Sequence, residues 1–261
     1  MAIPDGASSP SHKDVVRAKV WQELRKVAYP DSRFHYDFSS FIADFVGSEA
    51  AADKLLAMPS YRGSSTVFIT PDNCLEYLRE QTLKAGVRVL MTTYGIRRGF
   101  WLLDPAAIDP ALYQYAATLD GLEKVGRPVS LAEITELDLR ISFMVTGTGA
   151  INHGGVRFGK GHGFFDLEWA MLYTLEVVSQ NTMTAAVVHD CQVLDEELHP
   201  ETYDTVCNLI ITPSRVLRAE AAVQPTCGIL WDRLEDGMLE DIPPLQELLA
   251  MEKAVGMLVR D

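Results

Sequence analysis

Cysteine is scarce in this chain of 261 residues, and its spacing excludes two kinds of protein. The four cysteines are far apart and form no C-x-x-C pair: Cys74, Cys191, Cys207 and Cys227. This spacing argues against a zinc site and against a fold held together by disulfides. Long apolar runs are also missing, because no stretch approaches the roughly 20 residues that a membrane-spanning helix requires. We therefore expect reduced thiols and no membrane partner.

Positive charge is in short supply as well. Lysine and arginine total 23 against 36 aspartates and glutamates, which gives a formal net charge of −13. Such an acidic chain repels nucleic acids in general, so an anionic ligand requires a local cluster of cations. Residues 1–10 lack the basic and apolar regions of a secretory signal. We expect them to form a flexible tail on a cytoplasmic protein.

Apolar periodicity predicts alternating helices and strands along the chain. The predicted helices are 11–28, 48–58, 72–83, 164–178 and 243–259, and the predicted strands are 65–70, 87–92, 139–146, 184–188, 206–211 and 229–231. Residues 95–130 are expected to be irregular, and 147–163 to form a loop. A strand, a helix and a strand within about 30 residues indicate the βαβ unit of a parallel sheet. We predict a single α/β domain over 11–261, with a mostly parallel, Rossmann-like sheet flanked by helices.

The most informative motif runs from residue 155 to residue 166. It contains glycines at 155, 159, 161 and 163. The last three leave every second position without a side chain, so backbone N–H groups can approach an anion closely. Arg157 offers a planar fork for phosphate and Lys160 a mobile point charge. Asp166 opens an amphipathic segment, so we expect the loop to enter a helix N-terminus, where phosphate is favoured.

This motif resembles the G-x-R-x-G-x-G-x-G-x-x-D signature of the 5-formyltetrahydrofolate cyclo-ligase family, also called methenyltetrahydrofolate synthetases. Similarity to that family extends from about Lys13 to Val216. It includes a Lys-x-x-x-Arg pair on the first predicted helix, a Gln after a strand at 192, and the segment 204–213. Within the family the chain is similar to a divergent branch, typified by methenyltetrahydrofolate synthetase domain-containing proteins. Some members of that branch carry an RNA-recognition domain, which is not expected here.

The resemblance implies an ATP-dependent ligase of one-carbon metabolism that forms a C–N bond. It would convert 5-formyltetrahydrofolate to 5,10-methenyltetrahydrofolate with release of ADP and phosphate, using ATP and Mg²⁺. The implied catalytic residues are Lys160 and Arg157, and the implied magnesium ligand is Asp166. The residues implied to hold the nucleotide are Lys13, Arg17, Arg157, Gly159, Lys160, Gly161, His162, Gly163, Phe164 and Asp166.

The substrate and the partners are less well defined by the motifs. A folate-like small molecule is expected to contact Arg97, Phe100, Trp101 and Gln192. No nucleic acid is expected as a partner, and the chain is expected to be a monomer or a homodimer.

Three departures from the family pattern leave a second reading open. The family's mid-chain Glu-Pro motif is missing, Tyr203 replaces a histidine, and Asn208 replaces an aspartate. The alternative is a non-cyclising relative that binds nucleotide or folate, or acts on another heterocycle such as a thiamin-related compound. A dehydrogenase is disfavoured, because the partial Rossmann motif at Gly147 has Asn152 where its third glycine belongs.

Overall fold

The fold is described by a computed structural model that covers residues 12–219 and 222–258, without the side chains of 12–14 and 256–258. The predicted tail at 1–10 lies outside these residues. The helices are α1 His12–Leu24, α2 Ser48–Leu56, α3 Pro59–Arg62, α4 Glu76–Lys84, α5 Tyr113–Ala116, α6 Leu119–Val125, α7 Leu131–Glu136, α8 Phe164–Thr174, α9 Met238–Asp241 and α10 Pro243–Leu258. The strands are β1 Thr66–Ile69, β2 Arg88–Thr92, β3 Phe100–Leu103, β4 Arg127–Val129, β5 Phe143–Thr146, β6 Ala150–Asn152, β7 Arg157–Phe158, β8 Met183–Val187, β9 Val193–Leu194, β10 Leu209–Ile211 and β11 Val216–Arg218.

A central sheet of eight strands organises the domain, in the order β11-β10-β8-β5-β1-β2-β3-β4. The five strands from β10 to β2 are parallel to one another, whereas β11 and β3 pair antiparallel at the two ends of that group. The predicted mostly parallel α/β sheet is therefore confirmed. A smaller sheet has the order β7-β6-β9.

Helices cover both faces of the central sheet, because its strands are apolar on both sides. All four residues of β1 are buried, and alternate residues point to opposite faces. Val67 and Ile69 pack in one cluster with α2, α4, α5 and α6, whereas Phe68 packs in another with α7, α8 and α10. Continuous burial of this kind is typical of parallel strands between two helical layers.

Three expectations about local structure are wrong. Residues 95–130 are not irregular, because they contain β3, β4, α5 and α6. These strands continue the sheet beyond β2, and that tertiary pairing is invisible to local periodicity. The predicted strand at 229–231 is instead an irregular segment that enters a 3-10 turn at Trp231–Arg233. The predicted loop 147–163 also contains the short strands β6 and β7.

From the composition we expect reduced thiols and no membrane partner. All four cysteines are free thiols, and burial raises the pKa of Cys207 to about 12. Within 12–219 and 222–258, the structure has no helix with the length and apolarity needed to cross a membrane.

Candidate functional site

A cavity of about 330 Å³ opens at the carboxyl ends of β1, β2 and β5. The chain continues from β1 to β2 on one side, whereas β5, which is β1's other neighbour, leads to β8 on the opposite side. Strand order thus reverses between β1 and β5, and open α/β sheets bind ligands in the crevice at such a point. Asp72 spans this crevice, because its Oδ2 accepts hydrogen bonds from the Gly147 N–H at 2.8 Å and from Thr70 Oγ1 at 2.5 Å.

The glycine loop forms one wall of the cavity. It leaves β7 and enters α8 directly, as the sequence predicts. Gly161 and Gly163 have φ values of +114° and +63°, which place both in the region that side chains disfavour. Gly163 is the residue before α8, and no side chain caps the helix there. The first N–H groups of α8 are thus available to an anion in the cavity.

Arginine and lysine side chains gather at this wall. Arg17 from α1 lies over the ring of Phe158, with 5.6 Å between the guanidinium carbon and the ring centroid. Arg157 lies 4.5 Å above the ring of Phe165. Its Nε atom is buried and has no hydrogen-bond partner among the described residues. Lys13 lies in α1 as well, but its side chain is outside the described part of the structure.

Lys160 reaches from the loop toward the ends of the strands. Its ammonium donates to the hydroxyl of Tyr94 at 2.6 Å and lies 4.1 Å from the centroid of that ring. Burial lowers the pKa of Lys160, because the charged form loses hydration. Burial likewise raises the pKa of Tyr94 to about 12. Tyr94 therefore holds a lysine that is poorly solvated and directed into the cavity.

Asp166 lies behind the loop in the first turn of α8. Its Oδ1 accepts from Arg157 Nη2 at 2.6 Å and from the Thr205 N–H at 2.8 Å. Burial raises the pKa of this carboxyl group, although the Arg157 charge opposes the effect. The ion pair is well shielded, because the two side chains are only 8% and 16% exposed.

The carboxylates of the cavity suit a magnesium ion only in part. The described residues contain no group of three or more His, Cys, Asp or Glu side chains arranged for a metal ion. Magnesium, however, usually takes only one or two carboxylates and completes its shell with phosphate oxygens and water. Asp166 and Asp204 both line the cavity, and Oδ1 of Asp166 is the oxygen already engaged by Arg157. The residues therefore fit a magnesium ion that arrives with a polyphosphate, and they do not form a cage for a metal alone.

His162 and Phe164 also line the cavity. Their rings are tilted against each other with 5.4 Å between centroids, and His162 Nδ1 lies 3.8 Å from a carboxylate oxygen of Glu235. A second, largely apolar cavity of about 170 Å³ lies on the other side of residues 161–163. The glycine loop is thus the shared wall of two cavities.

The four residues expected to contact a folate are not brought to this cavity. Arg97 is exposed and pairs with Asp241, and the indole N–H of Trp101 donates to the Arg98 carbonyl. Phe100 is 1% exposed and packs in the apolar cluster between the sheet and α7, α8 and α10. The Gln192 amide donates to the carbonyls of residues 148 and 149 and accepts from the His189 N–H. These contacts support the fold, so a substrate role for the four residues stays a prediction without geometric support.

Two acidic residues of the cavity, Asp72 and Glu168, are not part of any of the predicted motifs. Burial raises the pKa of Glu168 from its ordinary 4.5 to about 8. One signal was available in each case. Asp72 follows directly after a buried strand, and Glu168 interrupts the otherwise apolar run from Leu167 to Leu172 in a helix that faces the core.

The departures in the closing segment have different places in the structure. Tyr203 is part of the wall of both cavities. The Asn208 side chain accepts from the backbone N–H and the hydroxyl of Thr184 at 3.0 and 2.8 Å, which ties β10 to β8. Asn208 is not among the described residues that line the larger cavity.

The fold and the site define an α/β protein with a glycine-rich loop, bordered by cations, at a switch point of its sheet. The model of the 5-formyltetrahydrofolate cyclo-ligase family matches residues 9–213, so the chain belongs to that family. The predicted resemblance is thereby confirmed.

Among known relatives, the chain is similar to proteins named methenyltetrahydrofolate synthase domain-containing protein. It is 32% identical to the one from Danio rerio, over 92% of this chain and 62% of the relative. It is 30% identical to those from Mus musculus and Homo sapiens, over 94% of this chain and 65% and 63% of the relatives. The chain therefore spans less than two thirds of the length of these curated relatives.

A solved structure, the NMR structure of Aquifex aeolicus 5,10-methenyltetrahydrofolate synthetase, aligns with a TM-score of 0.48 at 17% identity. The alignment covers 81% of this chain and 95% of that one. The family assignment does not depend on this distant likeness.

Proposed function

We propose that this protein is an ATP-dependent cyclo-ligase that converts 5-formyltetrahydrofolate to 5,10-methenyltetrahydrofolate. The observation that carries the proposal is the convergence of Arg17, Arg157 and Lys160 with the glycine loop and the start of α8 in one cavity. In a chain with a net charge of −13, this local cluster is what an anionic nucleotide requires. Family membership supplies the reaction type, and the geometry supports its phosphate half.

The reaction consists of two displacements. The formyl oxygen attacks the γ-phosphorus of ATP, the bond to the β–γ bridging oxygen breaks, and ADP leaves. The neighbouring N10 then attacks the activated formyl carbon. That carbon's bond to the phosphorylated oxygen breaks, N10 loses its proton, and inorganic phosphate leaves. Catalysis of this kind depends on positioning and on stabilising charge more than on acid–base chemistry.

The cavity residues match the first displacement. Negative charge develops on the transferring phosphoryl group and on the leaving ADP, and fixed donors lower the energy of that state. Lys160 is poorly solvated and positioned by Tyr94, so its charge acts on a phosphoryl oxygen with little screening. Arg157 is fixed by Asp166 and lines the cavity, so its positive charge acts on an oxygen that enters there. A magnesium ion bound through Asp166 would add charge neutralisation on the phosphates.

The first test follows the methenyl product by its absorbance, with purified protein, Mg-ATP and 5-formyltetrahydrofolate. Lys160→Met keeps an unbranched side chain of similar length but removes the charge, so we expect kcat to fall about 100-fold. The matched control is Lys84→Ala, because Lys84 forms an exposed ion pair with Glu80 on α4 and is not among the residues lining the cavity. The control should retain turnover to within about twofold. Unchanged turnover in Lys160→Met, or no ATP-dependent product with the wild type, would contradict the proposal.

A second candidate function is a relative that binds nucleotide without cyclising a folate, or one that acts on another heterocycle. The observation that favours it is the position of Arg97, Phe100, Trp101 and Gln192 away from the cavity. Separate calorimetric titrations discriminate between the two functions. Binding of ATP together with an absence of 5-formyltetrahydrofolate binding would favour the second candidate, and binding of both ligands would favour the cyclo-ligase.

A further inference from the structure

Glu168 is a buried carboxyl group of the cavity to which the steps above assign no role. It lies on α8, is 2% exposed and lines the cavity. Its Oε1 accepts the hydroxyl hydrogen of Thr92, whereas Oε2 has no hydrogen-bond partner among the described residues. A buried carboxyl oxygen without a partner is unfavourable, so such groups call for an explanation. The cavity is the space from which a ligand can reach this one.

The cations of the cavity and two of its carboxyl groups come from different parts of the fold, although Asp166 and Asp204 also line the cavity and Lys160 reaches toward the strand ends. Arg17, Arg157 and Lys160 accompany the glycine loop, whereas Asp72 and Glu168 accompany the carboxyl ends of β1 and β2. A phosphate group at the acidic end would meet carboxyl groups, which disfavour a negative charge. The phosphates therefore belong at the loop, and the acidic end suits a part of the ligand that carries hydrogen-bond donors and no negative charge.

The aromatic side chains of the same cavity indicate the shape of that part. Tyr94, Phe164 and Phe165 line the cavity together with the strand ends. Phe164 lies close to the turn at Gly95, because a Cβ atom placed on Gly95 would be 3.6 Å from Phe164 Cζ. Aromatic side chains in the same cavity as a buried carboxyl group favour a flat heterocycle with a polar edge.

The hydrogen-bonding capacity of the carboxyl group limits which edge of a flat heterocycle it can bind. A carboxyl oxygen accepts a hydrogen bond from a ring N–H. When the group carries a proton, it also donates to a carbonyl oxygen adjacent to that N–H. A cyclic amide, in which a ring N–H lies next to a C=O, is therefore matched on both atoms by the protonated carboxyl group, whereas the ionised group can accept from the N–H alone. The pyrimidinone ring of a folate has such an edge at N3 and C4.

We propose that Glu168 binds the N3–H/C4=O edge of the substrate's ring and is a specificity-determining residue of the site. The inference rests on the proposed function, because it takes 5-formyltetrahydrofolate as the ligand. With the ring bound at Glu168 and the nucleotide phosphates at the glycine loop, the two ligands would occupy different parts of one cavity. Glu168 need not transfer a proton in this role.

The test compares ligand affinities in three forms of the protein by calorimetry. In Glu168→Met the carboxyl group is replaced by an apolar chain of similar length, and we expect affinity for 5-formyltetrahydrofolate to fall about tenfold or more. Glu168→Gln should stay within about threefold of the wild type, because an amide also presents a donor and an acceptor. Affinity for ADP should change by less than about twofold in both variants, which also shows that each is folded. Unchanged folate affinity in Glu168→Met would overturn the inference.

A modified ligand gives an independent test in the wild-type protein. Methylation of N3 removes the N–H, so N3-methyl-5-formyltetrahydrofolate should bind the wild type about tenfold more weakly than the parent compound. In Glu168→Met, methylation should cost less than about threefold, because the hydrogen bond is already lost. An equal penalty in both proteins would overturn the inference, since the edge would then bind elsewhere.

Turnover separates this inference from the proposed function. If the wild type binds 5-formyltetrahydrofolate through Glu168 but forms no methenyl product, the cyclo-ligase proposal fails and the inference stands. If the wild type turns over and Glu168→Met binds as well as the wild type, the inference alone fails. If the wild type binds no 5-formyltetrahydrofolate, both fail.

Discussion

Glu168 makes the folding stability of this protein depend on pH, and the size of the effect can be calculated from its burial. The pKa of the carboxyl group is about 8 in the folded chain, against an ordinary value of 4.5 that applies when the chain is unfolded. Because the folded pKa is higher, the group's contribution to stability is complete below about pH 4.5 and is lost as the pH rises through 8. One unit of pKa difference corresponds to about 1.4 kcal/mol. Between pH 5 and pH 8 the loss is therefore about 3 kcal/mol.

The substitution Glu168→Gln isolates this effect. The amide oxygen can still accept from Thr92, and the variant cannot ionise. Any cost of burying the new NH₂ group is the same at every pH, so it cancels when two pH values are compared. We expect the variant to gain about 3 kcal/mol on the wild type between pH 5 and pH 8.

Urea unfolding at pH 5, 6, 7 and 8 measures this difference. The midpoints of the two proteins can be compared where their m values are equal. Glu136→Gln is the matched control, because Glu136 lies on the exposed surface of α7 and should give a constant difference from the wild type. If the stability of Glu168→Gln and that of the wild type run parallel over the range, the carboxyl group is not buried as described and the reasoning is refuted.

Three further substitutions test the glycine loop, the residues that support it and the expected folate contact at Arg97. Arg157→Met leaves the Asp166 carboxyl group buried without its counter-charge, so urea unfolding should show a loss of about 3 kcal/mol; a loss below about 1 kcal/mol would contradict the shielded ion pair. Gly155→Ala should lower the free energy of unfolding by more than about 2 kcal/mol, because φ is +80° and the new Cβ would lie 2.1 Å from the Cys207 carbonyl oxygen. Gly159→Ala should lower it by less than about 1 kcal/mol, because a Cβ at Gly159 has open space around it. Equal losses in the two variants would contradict this geometry. Arg97→Ala should leave the KM for 5-formyltetrahydrofolate within about twofold, and a larger rise in steady-state assays would return that residue to the site.

The central part of the fold was predictable because its signals are local. The β1 segment is short, apolar and buried on both faces, and the α8 segment follows a glycine loop directly. The edges of the sheet were not predictable in this way. Strands β3 and β4 are stabilised by pairing with β2 and with each other, and neither has a distinctive pattern of its own.

The site was predictable on its cationic side only. Arg157 and Lys160 lie in a motif whose glycines and charges follow one another in sequence. The acidic side consists of Asp72 and Glu168, which are 96 positions apart by their numbers and meet because β1 and α8 border the same cavity. The folate contacts were predicted by position in the chain, and position cannot distinguish an exposed arginine from one that lines a cavity.

The two carboxyl groups of α8 show why helical periodicity does not reveal this site. Asp166 and Glu168 are two residues apart, so they point about 200° away from each other around the helix and share no face. Both nevertheless line the cavity, because the helix meets it with its N-terminal end. At a helix end, residues from every face of the first turns can border one ligand. Asp166 can therefore accept from Arg157 of the cationic loop while Glu168 accepts from Thr92 at the end of β2, so that α8 connects the loop with the strand ends.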